Sequence, residues 1–148
     1  LTTVKRAKMM TIVIFRVETK NHVFSFSNAG HVFPVLFKEK TKTVTELENI
    51  AFPVGTMVRA KYKEVSVDFQ PEDALFLCTD GLVEARNKKR KEAGTRLMAE
   101  WFSECAHLDP QEILAEMFKK VSIYSEGQEP EDDITMICLK RLKNSFPG

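Results

Sequence analysis

The chain predicts an α+β fold in which antiparallel strands come first and helices follow. Three observations carry this expectation. Residues 9–78 hold six short segments rich in β-branched and aromatic residues, and the connections between them are too short for parallel crossovers. Residues 92–125 then change to apolar side chains at helical intervals. A seventh apolar run, Ile134-Thr135-Met136-Ile137-Cys138-Leu139, closes the pattern as a buried strand.

Taken in order, Met9-Met10-Thr11-Ile12-Val13-Ile14-Phe15-Arg16-Val17 is apolar on both alternating faces, as in a strand covered on both sides. Beyond the turn signal Lys20-Asn21, His22–Ser27 alternates, with Phe24 and Phe26 on one face and Ser25 and Ser27 on the other. Asn28-Ala29-Gly30-His31 interrupts, and Val32–Phe37 is a third strand whose Pro34 marks a bulge or an edge. A fourth covers Thr41–Leu47 after the charged turn Lys38-Glu39-Lys40, and a fifth Tyr62–Phe69 after the loop Phe52-Pro53-Val54-Gly55. Ala74-Leu75-Phe76-Leu77-Cys78 is five apolar residues bounded by polar ones, the signature of a strand buried on both faces. Two amphipathic helices are expected at Glu92–His107 and Pro110–Ser125, the second capped by Asp109 with Pro110 at its first position and Glu112 in its first turn. Trp101 and the Phe and Met residues of the helices belong to core or covering contacts. Lys140–Gly148 is a polar tail.

The chain has 148 residues, 22 basic and 21 acidic, so it has the length of one domain and no overall field that would draw nucleic acid. Its apolar runs are too short to cross a bilayer. Cys78, Cys105 and Cys138 are odd in number and far apart, which fits reduced thiols in a cytoplasmic core. The absence of a C-x-x-C pair, with His22, His31 and His107 widely spaced, argues against zinc. The opening on Leu1 suggests a piece of something longer.

Asp80 is the first candidate ligand. A strand as apolar as 74–78 has little reason to end on a charge, and an ionised carboxylate near a core calls for a partner such as a hard cation. Gly81 is expected to turn the backbone sharply with positive φ. Asp132-Asp133, directly ahead of the last apolar strand, repeats the design. One strand carries its Asp at the C-terminal end and the other at the N-terminal end, so antiparallel neighbours would bring both to one sheet edge. Oxygen-only ligands select Mg²⁺ or Mn²⁺. The spacing alone also permits a plain Asp-Gly turn and a solvated acidic loop.

Four separated motifs then align in order: Phe26-Ser27-Asn28-Ala29-Gly30-His31 with Pro34; Pro53 with Gly55; Thr79-Asp80-Gly81-Leu82 with Glu84-Ala85-Arg86-Asn87; and Glu131-Asp132-Asp133-Ile134-Thr135. Together they resemble the SpoIIE/RsbU branch of the metal-dependent PPM (type 2C-like) serine/threonine protein phosphatases. The resemblance implies an antiparallel β-sandwich flanked by helices, and hydrolysis of phosphoserine or phosphothreonine with two Mn²⁺ or Mg²⁺ ions. By the same resemblance Asp80 and Asp132 are the catalytic metal ligands, and Asp133, beside them, supports the ligating pair. The implied substrate is a phosphorylated STAS-type anti-anti-sigma protein in bacterial signalling.

The family's opening Gly-Asp strand and Asp-x-x-Gly-His-Gly-like segment, which supply the bridging ligand, have no counterpart here. Residues 1–148 therefore match the later half to two-thirds of the domain, lacking its N-terminal strands. The expectation is a chain inactive by itself, with weak metal binding and open sheet edges that favour homodimers. A phosphatase-like module that binds or oligomerises without chemistry is the alternative. His31, in an Ala-Gly-His turn, is read as a loop-shaping residue before a general acid, Gly30 and Gly55 as backbone requirements, and Arg86–Lys91 as a solvated loop before a guide for phosphorylated partners.

Overall fold

The computed structural model describes residues 8–128 and 130–143. Within the tail expected at Lys140–Gly148, residues 144–148 lie outside the described residues, as does Glu129 of the acidic turn. The strands are β1 (Ile12–Glu18), β2 (Val23–Ala29), β3 (Val35–Lys38), β4 (Thr43–Glu46), β5 (Val65–Asp68), β6 (Ala74–Cys78) and β7 (Met136–Lys140). The helices are α1 (Asp80–Val83), α2 (Gly94–Cys105) and α3 (Pro110–Tyr124). All strand pairings are antiparallel, so the α+β class expected from the sequence holds.

The chain divides into two compact units. The first, Leu1–Phe33 with Glu48–Phe69, contains a sheet in the order β1-β2-β5. Its register pairs Phe15 with Phe26 and Val17 with Phe24, which brings aromatic side chains together. The Phe24 ring lies 5.6 Å from Phe15, 5.7 Å from Phe26 and 6.4 Å from Phe69. On β2, buried Ser25 meets Ser66 of β5 at 2.8 Å between hydroxyl oxygens, which satisfies both without water. The expectation that β1 is covered on both sides is wrong: it is an edge strand, with Ile14 64% exposed. Apolar alternation reports affinity for a pleated surface and cannot say how many neighbours a strand has.

The second unit, Pro34–Leu47 with Gln70–Gly148, holds a sheet in the order β4-β3-β6-β7. β6 lies inside it, and all five of its residues are buried, as the apolar run predicts. α2 packs on β4 and α3 on β7, while the Phe76 and Phe102 rings stack at 5.4 Å. Asp109 caps α3 in a capping box with Glu112, whose carboxylate accepts the Asp109 N–H at 3.2 Å.

Several expectations need correction. Pro34 precedes β3 rather than interrupting it, and β3 is central; with no N–H to give, the residue serves through its carbonyl, which accepts from Leu47 N–H at 2.8 Å. β7 begins two residues later than the apolar run and is an edge strand, with Ile137 43% exposed. Phe118, expected in core or covering contacts, is 60% exposed, because the buried stripe of α3 is Ile113, Met117 and Val121. Lys140 is no tail residue. Its side chain is 4% exposed, and its ammonium donates to the carbonyls of His107 (2.8 Å) and Leu108 (2.9 Å) in the α2–α3 connection.

Candidate metal centre

β6 and β7 are antiparallel neighbours, with Cys78 opposite Met136. The chain therefore leaves β6 and enters β7 at the same sheet edge, the first by way of Thr79-Asp80 and the second by way of Asp132-Asp133. Asp80 is the first residue of α1, a single helical turn the strand pattern did not foretell, closed by Glu84 N–H to Asp80 O at 2.8 Å and anchored by fully buried Leu82.

The backbones of the two acidic segments are in direct contact. Thr79 N–H donates to Thr135 O at 3.0 Å. The Thr79 hydroxyl donates to Asp133 O at 2.9 Å and accepts the Thr135 N–H at 2.9 Å. A Cβ built on Gly81 would stand 2.6 Å from Asp133 O and 3.0 Å from Asp132 O. That distance corrects the expected reason for the glycine. Gly81 is helical and is not among the positive-φ residues; its missing side chain makes room for the Asp132-Asp133 backbone that leads into β7. The Asp132 carboxylate accepts its neighbour's N–H, Asp133, at 2.7 Å through Oδ1.

Asp80, Asp132 and Asp133 are all exposed, so Asp80 is not the buried charge expected beside the core. Its charge is nonetheless felt by the strand: burial first, then the Asp80 carboxylate, pushes the Cys78 thiol up to about 12. Burial likewise raises Cys138 to about 12 and Cys105 to about 11, which keeps all three as neutral thiols.

A different carboxylate is the buried one that needs compensation. Asp73, 1% exposed ahead of β6, accepts the Lys38 ammonium at 2.8 Å and the backbone N–H groups of Glu39 (2.9 Å) and Gln70 (2.8 Å). It ties the β3–β4 turn to the start of β6. A Pro-Glu-Asp turn before an apolar strand was the available signal.

The basic run is a closed turn. Arg86 bridges to Glu92 at 2.7 Å and to Glu131 at 2.9 Å, which hold its guanidinium protonated, and Lys88 reaches Glu126 at 2.5 Å. The Asn87 carboxamide oxygen accepts from Lys89 and Lys91 N–H at 3.0 and 3.1 Å. His31 belongs to the first unit, whereas the three aspartates belong to the second. Asn28 clasps its backbone at both ends, with bonds of 2.9 and 2.8 Å, and its Nδ1 lies 3.1 Å from Val32 O, in keeping with a loop-shaping role. Gly30 and Gly55 both take positive φ, 71° and 91°.

Oxygen donors from two adjoining strand ends suit one side of a hard-cation site. Among the described residues no group of three or more His, Cys, Asp or Glu side chains converges as a metal cage.

The family model described as Stage II sporulation protein E (SpoIIE) matches residues 1–142. Protein IcfG of Synechocystis sp. is 26% identical over 136 residues, covering 91% of this chain and 21% of that protein. The phosphatase domain of SpoIIE from Bacillus subtilis, presoaked with Mn, superposes with a TM-score of 0.74 at 19% identity, covering 93% of this chain and 59% of that one. The SiaA PP2C domain of Pseudomonas aeruginosa gives a TM-score of 0.78 at 18% identity, covering 88% of this chain and 51% of that one. The chain thus spans less than two-thirds of each of these relatives. The match along residues 1–142 shows that the chain belongs to the SpoIIE family, and the antiparallel sheets and helices of its described residues share the fold of these phosphatase and PP2C domains.

Proposed function

We propose that this chain is the later part of a metal-dependent phosphatase domain that hydrolyses phosphoserine or phosphothreonine on a regulatory protein. The observation that carries the reading is the antiparallel pairing of β6 with β7, which supports a shared site for Asp80 and Asp132. In this reading Asp80 and Asp132 hold a Mn²⁺ or Mg²⁺ ion and Asp133 steadies the pair. Such an ion lowers the pKa of water toward neutrality and offsets charge on phosphoryl oxygens. Thr79 and Gly81 let the two acidic segments approach. The Mn presoak of the similar SpoIIE domain supports the choice of cation. The proposed substrate, by family resemblance, is a phosphorylated STAS-type protein, and the proposed setting is cytoplasmic.

Two carboxylate ligands on one side cannot form a two-metal clamp, so these 148 residues alone are expected to be inactive. The test uses the full-length protein with a phosphorylated STAS protein and excess Mn²⁺. Asp80→Asn is expected to abolish turnover while the circular dichroism spectrum stays unchanged; undiminished turnover at saturating Mn²⁺ overturns the assignment. Family-like turnover by residues 1–148 overturns the expectation of inactivity.

A second reading, a phosphatase-like module that self-associates without chemistry, is favoured by the exposed apolar edge strand β1.

A further inference from the structure

The residues on either side of Asp80 in the chain both meet Asp133 O. Thr79 reaches it by a hydrogen bond at 2.9 Å, and Gly81 by an approach so close that a Cβ would sit 2.6 Å away. The Thr79 hydroxyl is used twice, donating to Asp133 O and accepting from Thr135 N–H. Each tie lies one residue from Asp80 and one to three from Asp132. The hydroxyl therefore fixes the segment that carries one candidate ligand to the residue adjoining the other.

We propose that Thr79 is a positioning residue for the divalent-cation site, holding the 132–135 segment at the separation from Asp80 that a shared ion requires. The inference rests on the reading of Asp80 and Asp132 as a ligating pair. Asp133 and Thr135 are exposed, so water can replace the lost hydrogen bonds when the hydroxyl is removed. The fold should then survive Thr79→Val, which keeps the branched shape and deletes only the donor and acceptor. What changes is the freedom of the acidic segment, and with it the entropy lost when both carboxylates close on an ion.

The experiment takes the full-length protein as unsubstituted, T79V, T79S and D80N forms. Two readouts are made: Mn²⁺ affinity from the electron paramagnetic resonance signal of free Mn²⁺, and amide hydrogen exchange at residues 133–135 without metal. T79V is expected to weaken Mn²⁺ binding by about tenfold or more, in the range seen when groups that orient metal ligands are removed. It should also speed exchange at Thr135. T79S, which retains the hydroxyl, should match the unsubstituted protein in both. If T79V binds Mn²⁺ as tightly as the unsubstituted protein while D80N loses binding, the role given to Thr79 is wrong and the ligand pair stands. T79S as weak as T79V overturns it equally, since the hydroxyl would then not be the cause. Full Mn²⁺ affinity in D80N sinks the ligand pair itself. Should T79V fail to fold, T79A gives the same comparison against T79S.

Discussion

At the scale of single residues, two carboxylates beside β6 answer to different physics. Asp73 is buried and receives three donors, whereas Asp80 is exposed at the head of a one-turn helix. Removing the Asp73 carboxylate takes a buried acceptor away from the Lys38 ammonium, whose side chain is 26% exposed, and from two backbone N–H groups. Asp73→Ala should therefore cost about 1–3 kcal/mol of stability, read as a lower urea midpoint at unchanged m-value. Asp80→Ala should leave that midpoint nearly in place, because the exposed carboxylate is solvated in the folded and the unfolded chain alike. The thiols add a pH dependence of definite sign. The folded state holds the Cys78 proton up to about 12, against an ordinary value of 9.0, so through that window the unfolded chain binds fewer protons. The contribution of Cys78 is intact below pH 9.0 and is lost as pH rises toward 12, at up to about 1.4 kcal/mol per pH unit. Urea titrations from pH 8 to 11 should show this decline, and Cys78→Ala should make it shallower without abolishing it, since Cys105 and Cys138 are raised as well.

Among the secondary-structure elements, legibility followed the strength of the local pattern. Five apolar residues in a row announced β6, and a polar cap followed by Pro announced α3. Asp109→Ala should lower stability by about 1 kcal/mol, measured by thermal or urea unfolding, because it opens one half of the capping box. What misled were edges and ends. β1 and β7 read as buried strands, yet each has a neighbour on one side within its sheet. Phe118 reads as a core or covering residue from its place among apolar residues at helical intervals, whereas the stripe Ile113, Met117 and Val121 at spacings of four is what α3 buries. Lys140 read as tail because its burial depends on carbonyls at His107 and Leu108, 33 and 32 residues away. α1 was missed because a single turn carries too few residues for a periodic signal.

For the molecule as a whole, β1, an edge strand among the described residues, predicts self-association. Ile14 and Val17 lie exposed along a strand whose outer backbone groups can pair with another chain. Light scattering of residues 1–148 should show mass rising with concentration, and Ile14→Lys should suppress the rise, since an edge lysine discourages strand addition. The strands, the two long helices, the α+β class and the positions of the candidate aspartates could be read along the chain, because each depends on side chains a few residues apart. The strand order could not. That β6 lies beside β7, with Thr79 joined to Asp133 and Gly81 leaving space for its carbonyl, was decided by tertiary structure alone. Pairing between segments more than fifty residues apart is selected by how the whole core packs, and no local run of residues records that choice.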